Sequence, residues 1–396
     1  GTTIRARRNS ATGEWLPAAG NLVVRCDSST ALNPGDRAVV RGKIYPFTAR
    51  HGGYGRLMTR RGYVGTLYLN RSSLLLRDTL HRELSPKHLS LFLHERAVAR
   101  LDRLALAPDE QALCNAMTAG DRRSLSPALR AAYSRSGTSH LLAVSGLHVG
   151  IVFLLANLLL WWLPLFRHGH ILRNIAVILL IWLYAATTGF PPSVVRATLM
   201  FSVLQFALAS SSEYVGMNTL AGVAFVMLLF HPDYLFDISF QLSFIAVAGI
   251  IAWGLPLCRL LRTRRKSIDM LTATLAIGFS ASAATAPLIS HTFGQISVVG
   301  LALNPVVILL SYVVVGSCTL WLVIPGTVLA PLFSVVAGFA ARAQNELIRA
   351  AAALPAAALD IRLTTTQCWI VYGLFIFATL LLWSAERKKS VSSLPE

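Results

Sequence analysis

The chain has 396 residues, 54% of them hydrophobic and only 14% charged, with a mean hydropathy of +0.57. A soluble globular domain carries about a quarter charged residues, so composition excludes that class and indicates a polytopic helical membrane protein. The net charge is +18, and about 22 basic against about 10 acidic residues precede residue 140, a basic head that attracts anionic lipid or a polyanion such as nucleic acid.

The chain opens at Gly1 with neither an initiator Met nor a signal peptide, and reads as a fragment or processed product with room for missing N-terminal spans. Residues 1–72 form an N-terminally incomplete β domain. Leu22-Val23-Val24 is followed by the turn Leu32-Asn33-Pro34-Gly35-Asp36, then by the alternating run Arg37–Ile44. After the Gly-rich loop Gly52–Gly55 another strand is predicted over Tyr63–Leu69, a pattern that fits a small β-barrel such as an OB-fold. Residues 73–136 read as an amphipathic helical connector. Arg96, Arg100 and Arg103 recur opposite Val98, Leu101 and Leu104, as either a solvated face or a basic stripe for headgroups or phosphates.

The membrane domain is placed at 137–385, with nine spans near 141–166, 171–188, 192–209, 214–230, 238–257, 270–290, 298–323, 327–342 and 367–384. The eighth is short enough to be re-entrant. A basic, polar tail follows at 386–396. The densest basic loop, Arg259 to Lys266, is assigned to the cytoplasm. That puts the N-terminal domain on the outer face, and Arg387, Lys388 and Lys389 inside if the eighth span crosses.

Several polar residues stand where hydrocarbon disfavours them. His140, Ser145 and His148 lie at the mouth of the first span, with Gly146 and Gly150 forming a small-xxx-small pair. They read as packing glue, as a polar path, or as a nucleophile and base, although that span holds no acid to orient a histidine. Pro192 suits a helix start. Ser193 follows it, and Arg196 sits one turn inside a span, to snorkel or to meet an anion. Asp237, Gln241 and Ser243 enter the fifth span after His231 and Asp233, whose spacing demands no metal. Ser280, Ser282 and Thr285 before Pro287, and Asn304 before Pro305, mark broken or closely packed helices. The set suggests a channel or transporter. The five cysteines (Cys26, Cys114, Cys258, Cys318 and Cys368) have no C-x-x-C spacing, which excludes a disulfide frame and a zinc knuckle.

The run H-L-L-A-V-S-G-L-H-V-G at 140–150 resembles the signature of the ComEC/Rec2 family of DNA-uptake proteins. Gly120-Asp121-Arg122, P-S-x-x-R-A-x-x-M at 192–200, H-P-x-x-L-x-D-x-S-F-Q-L-S-F at 231–244, the Ser/Ala/Thr-Pro stretch at 280–287 and Asn304-Pro305 follow in the family's order. Upstream, L-x-P-G-D at 32–36, Arg41-Gly42 and residues 60–67 resemble its OB-like domain. The H-x-H-x-D-H motif of the metallo-β-lactamase-like domain carried by many members is not in this sequence.

The resemblance implies an inner-membrane channel, not an enzyme, that passes single-stranded DNA into the cytoplasm during natural transformation. His140, Ser145, His148, Ser193, Arg196, Asp237, Gln241, Ser243 and Asn304 would line or gate the passage, with Asp237 pairing with Arg196 or a histidine. Gly146, Gly150 and Pro192 would pack helices. Arg41, Lys43, Tyr54, Arg56, Arg60, Arg61, Tyr63, Arg96, Arg100 and Arg103 would bind DNA. Tyr45 and Phe47 stand beside them as stacking residues or barrel core. No cofactor is implied. The expected partners are single-stranded DNA, membrane lipid, a separate DNA receptor, a cytoplasmic helicase or motor (the chain has no Walker motif), a separate nuclease and further copies of the chain. Two alternatives stand: an intramembrane serine hydrolase using Ser145 and His148, disfavoured by Ala143 where rhomboid enzymes have glycine, and a transporter of another solute.

Overall fold

Residues 22–26 and 63–69 are rich in β-branched, aromatic and leucine side chains, and in the computed structural model they lie side by side. The structure describes residues 2–8, 14–26, 36–47, 55, 58–59, 62–78, 86–210, 216–263, 265–297, 299–324, 330–354 and 358–392. Tyr54, Arg56, Arg60 and Arg61 lie outside them. The chain divides into two units, Gly1–Phe92 and Leu93–Glu396.

The first unit holds β1 (Thr2–Arg8), β2 (Trp15–Cys26), β3 (Arg37–Val40), β4 (Ile44–Pro46), β5 (Tyr63–Leu69) and β6 (Leu74–Asp78). One sheet has the order β1-β2-β5-β4. In it β2 and β5 run parallel, with Val24 opposite Leu67 and Arg25 opposite Tyr68, while β1 and β4 pair antiparallel. β3 and β6 form a separate antiparallel ladder, tied by the Arg77–Asp36 ion pair at 2.5 Å. Leu22, Leu67 and Leu69 are buried together, with Val24 and Val40 against them. The described strands thus make a small β region in two ladders, not a closed barrel. β6 is a departure from sequence, because the leucines at its start read as the beginning of a helix. Pairing with β3 decides their conformation, as tertiary context overrides a weak local preference.

The second unit is helical. Its elements, with α1 beginning in the first unit, are α1 (Pro86–Leu101), α2 (Pro108–Thr118), α3 (Pro127–Arg135), α4 (Gly146–Leu159), α5 (Gly169–Thr187), α6 (Pro192–Ser210) and α7 (Gly216–Phe230). There follow α8 (Ile238–Gly249), α9 (Leu255–Leu260), α10 (Lys266–Phe293), α11 (Val299–Val323), α12 (Ala330–Ala352) and α13 (Thr365–Ser392). Prolines at the first position start α2, α3 and α6 where a missing N–H does no harm. A π turn, Ile250–Gly254, joins α8 to α9.

Five stretches among the described residues are long and apolar enough to cross a membrane: Gly146–Leu165, Gly169–Thr187, Ile238–Leu260, Ile268–Phe293 and Leu303–Val323. Pro192–Leu208, Gly216–Phe230 and Thr365–Leu380 are apolar but shorter. The expected nine spans are therefore too many. The clearest correction is the eighth, at 327–342. From residue 330 onward it belongs to α12, an amphipathic helix that buries Ala337, Ala341, Gln344, Asn345 and Ile348 and exposes Arg342, Glu346 and Arg349. Charges repeating along one face favour packing on protein over insertion in lipid.

α12 joins α2, α3 and α11 in the largest core, which includes Leu113, Met117, Leu129, Tyr133, Val314 and Ile348. Each such side chain contributes about 1.5–3 kcal/mol on burial. Hydrogen bonds bind the same helices. Tyr133 Oη donates to Asn345 Oδ1 at 3.1 Å, Asn345 Nδ2 to the Asp109 carbonyl at 3.2 Å and Ser334 Oγ to the Leu104 carbonyl at 2.9 Å.

A second core joins α4, α5 and α6 through Val149, Val152, Phe153, Val177, Ile181 and Val194. A third joins α6, α7 and α8 through Val223, Met227 and Phe240. Helices approach closely where glycine allows it: a Cβ on Gly249 would lie 2.5 Å from Ala284 Cβ, at the crossing of α8 and α10.

Candidate functional site

Ser145 is the N-cap of α4, and its backbone N–H donates to His148 Nδ1 at 2.9 Å. The Ser145 hydroxyl reaches the same nitrogen at 3.0 Å and also caps the His148 amide. This is a capping box with histidine in the place usually held by Glu or Gln. Because Nδ1 accepts a backbone N–H, the ring proton is placed on Nε2. His148 is fully buried, and its Nε2 has no hydrogen-bond partner among the described residues.

Two distant segments converge on this turn. Ser193 Oγ donates to the Val144 carbonyl at 3.0 Å, fixing the start of α6 beside the start of α4. Gly146 then faces α6 so closely that a Cβ there would lie 3.0 Å from Arg196 Nη2 and 3.4 Å from Ala197 Cβ. Gly150, one turn on, faces the Phe201 ring, where a Cβ would lie 3.2 Å from Cζ. From the other side, Phe244 of α8 presents its ring to the Arg196 guanidinium, 5.8 Å from Cζ to the centroid. The motifs around 145, 193 and 244 thus meet at Arg196. Gly120 joins them from outside the spans. Its φ of +82° suits a residue without a side chain, and a Cβ there would lie 3.3 Å from Val144.

Arg196 is only 7% exposed. Nη1 points to Met200 Sδ at 3.5 Å, and Nε has no partner. No carboxylate pairs with it among the described residues. Of the two partners expected for Asp237, Arg196 or a histidine, the structure does not give Arg196; Asp237 caps α8, accepting from Ser239 N at 2.8 Å. Gln241 Nε2 is likewise engaged locally, donating to the Leu235 carbonyl at 2.8 Å.

An aromatic file approaches Arg196 through this segment. His231 stacks on Tyr234 at 4.9 Å, Tyr234 lies 6.3 Å from Phe240, and Phe240 lies 4.3 Å from Phe244. Ser243 is half-buried in the same helix. His140 is exposed in the 3-10 turn before Ser145, and Asn304 keeps a buried, unpartnered Oδ1 in α11.

A polar group that sequence reasoning missed lies toward the far ends of α4 and α6. Arg173 Nη2 donates to Asn157 Oδ1 at 3.0 Å, and Gln205 Nε2 to Asn174 Oδ1 at 2.6 Å. The available signal was three amide side chains and a guanidinium within or beside apolar runs.

The first unit exposes a different surface. Tyr45 and Tyr68, 50% and 55% exposed, pack edge to face at 5.8 Å. Lys43 Nζ lies 5.9 Å from the Tyr45 ring and Arg25 Cζ 5.9 Å from the Tyr68 ring. Arg25 and Tyr68 were not singled out from sequence. Arg41 is exposed and Tyr63 half-buried. In the second unit, Arg96 and Arg103 are exposed and Arg100 half-buried, opposite buried Val98, Leu101 and Leu104.

The pattern of the competence protein family matches residues 117–388, most of the chain. The chain belongs to that family. ComE operon protein 3 of Bacillus subtilis (strain 168) is 32% identical over 204 residues, which cover 50% of this chain and 24% of that protein. An uncharacterized protein of Aquifex aeolicus (strain VF5) is 30% identical over 201 residues, covering 50% of this chain and 45% of its own length. The chain thus matches less than half the length of either relative. No solved structure matches it.

Proposed function

We propose that this competence-family membrane protein passes single-stranded DNA into the cytoplasm during natural transformation, with the β unit as its OB-like receiving head. The observation that carries the reading is the surface of Tyr45 and Tyr68 flanked by Lys43 and Arg25, on a chain otherwise built of apolar helices. Exposed aromatic rings beside cations bind single strands by stacking on bases and attracting phosphates. Arg41 adds to that basic surface, and Arg96, Arg100 and Arg103 give the second unit a basic stripe of its own.

Orientation in this reading rests on Arg259, Arg262 and Arg265 facing the cytoplasm, which leaves the β unit outside. Placing Arg387–Lys389 inside relied on an eighth crossing that α12 does not supply. Pulling, strand degradation and first capture fall to partners: a helicase or motor, a nuclease and a DNA receptor. Self-association belongs to the same reading, in which His140 and Asn304 border the passage.

The hydrolase alternative is disfavoured by local chemistry. His148 Nδ1 is occupied by the Ser145 amide, and a serine at an N-cap bonded to its own turn lacks the oriented base of a triad. Transport of another solute would leave the aromatic and basic face of the β unit without a use.

A clean gene deletion tests the proposal. Transformation is expected to disappear while DNA still reaches the cell surface; normal transformation removes the reading.

A further inference from the structure

We propose that the first turn of α4 and Arg196 form a binding site for one phosphate group. On the transport reading above, that group is a phosphodiester of the passing strand.

The case begins with an arrangement of like charges. The N-terminus of α4 carries the positive end of a helix dipole, equivalent to about half an elementary charge. Gly146 stands there without a side chain, and Arg196 Nη2 occupies the space, 3.0 Å from where a Cβ would be. A guanidinium set on a helix N-terminus is repelled by it unless an anion lies between or beside them. No acid among the described residues takes that role, and Arg196 meets the Met200 sulfur and the Phe244 ring. A cation–π contact is worth about 0.5–2 kcal/mol, well short of the several kcal/mol that burying an ion requires. The backbone amides of Gly146 and Leu147, in the turn's first two positions, have no partner among the described residues. Free amides, a dipole and an uncompensated guanidinium are the components of a phosphate site.

The surroundings favour a nucleic-acid phosphate over a lipid headgroup or the free ion. The file His231, Tyr234, Phe240 and Phe244 ends under Arg196. Phe240 is buried in the core, so the file backs the guanidinium from within, and its outer member His231 is the exposed ring on which a base would stack.

The test uses the full chain in nanodiscs of zwitterionic lipid and a fluorescent thymidine oligonucleotide, with affinity measured across a salt series. Each phosphate contact on a single strand contributes about 0.7 to the slope of log affinity against log salt. Arg196→Ala is expected to lower that slope by about 0.7, and Arg196→Lys to keep the slope with weaker binding. Gly146→Ala, which displaces the guanidinium, should behave as Arg196→Ala does. Thermal unfolding without ligand reports folding, and no variant is expected to unfold earlier than wild type. An oligonucleotide with methylphosphonate linkages should bind wild type and Arg196→Ala alike.

An unchanged slope in Arg196→Ala, with wild-type binding intact, overturns this site alone. Wild-type protein that binds no oligonucleotide overturns the transport reading and the phosphodiester assignment with it. Competition by phosphatidylglycerol nanodiscs through Arg196, without any effect of the variants on DNA, would assign the site to a lipid headgroup. The same result with inorganic phosphate would assign it to the free ion; either outcome supports a phosphate site and overturns its assignment to the passing strand.

Discussion

Two regions of the helical unit carry an arginine against packed helices, and they treat its charge in opposite ways. Around α2, α3 and α12, Arg349 is held by Asp109 and Glu346. Tyr133 and Asn345 bond to each other, and Gln344 Nε2 donates to Tyr133 Oη at 3.3 Å. Burial raises the Tyr133 hydroxyl far above its ordinary range, so it stays neutral and able to donate. Around α4, α6 and α8, His148 Nε2, Arg196 Nε and Thr198 Oγ1 have no partners among the described residues. Satisfied polar groups specify which helices touch. Single neutral atoms, Gln344 Oε1 and Thr118 Oγ1, lack a partner among the described residues in the first region too, so the difference lies in the buried, unpaired guanidinium of Arg196.

The contrast breaks most easily at Arg196. Arg196→Met should lower transformation by about 10- to 100-fold, the worth of a charge-assisted hydrogen bond pair at roughly 1.5–3 kcal/mol. Thermal unfolding should be unchanged or later, because an uncompensated buried charge has been replaced by an apolar chain. A variant that unfolds early would show that Arg196 supports the fold, and the two regions would then be alike. Asn345→Ala should do the reverse. It removes the acceptor for Tyr133 and the donor to Asp109, and stability should fall by about 1–3 kcal/mol. A chemical denaturation series on purified protein would read that loss, and transformation should drop only as far as folded protein does.

How much of this was legible from sequence depended on how local the cause was. Runs of apolar residues gave the class, and Arg196 stood out because a charge inside a span is costly wherever it points. The destination of Arg196 was not legible. Phe244 is 48 positions away and Gly146 is 50, and only helix packing brings them together. The pairing of Arg196 with Asp237 was a reasonable charge argument, overridden by local capping at Ser239. The span at 327–342 stopped just short of the polar part of α12, where Gln344 and Asn345 are buried and Glu346 and Arg349 follow on the exposed face. Ser145 and His148 were grouped at the mouth of the first span, but their bond is a helix cap, a role that histidine rarely advertises.

The β unit offers a third kind of polar–aromatic surface, open to solvent rather than enclosed. Replacing Tyr45 and Tyr68 with Ala together should weaken oligonucleotide binding by about 10-fold, since stacking contributes roughly 1–3 kcal/mol per base. The salt slope should hardly change, because no cation is lost. A steep fall in slope instead would mean that the rings serve mainly to hold Lys43 and Arg25 in place.

The smallest effect belongs to the loop that leans on Val144. The Asp121 side chain is buried, and Arg123 bonds to both its oxygens at 2.8–3.1 Å. Those hydrogen bonds hold its carboxyl below the usual range, while burial pulls the other way. A depressed carboxylate stabilises the fold above its unfolded value of about 3.9, and the contribution disappears as pH falls through the lower folded value. Arg123 is 77% exposed, so solvent screening keeps the pair under about 1 kcal/mol. Arg123→Gln should therefore lower the melting temperature slightly at pH 7, and the gap to wild type should narrow as pH drops below 4. A gap that stays constant with pH would mean Arg123 holds the loop by packing and neutral hydrogen bonds. Arg196, with no carboxylate beside it, should show no such acid window, so the pH series separates a paired arginine from an unpaired one within the same unit.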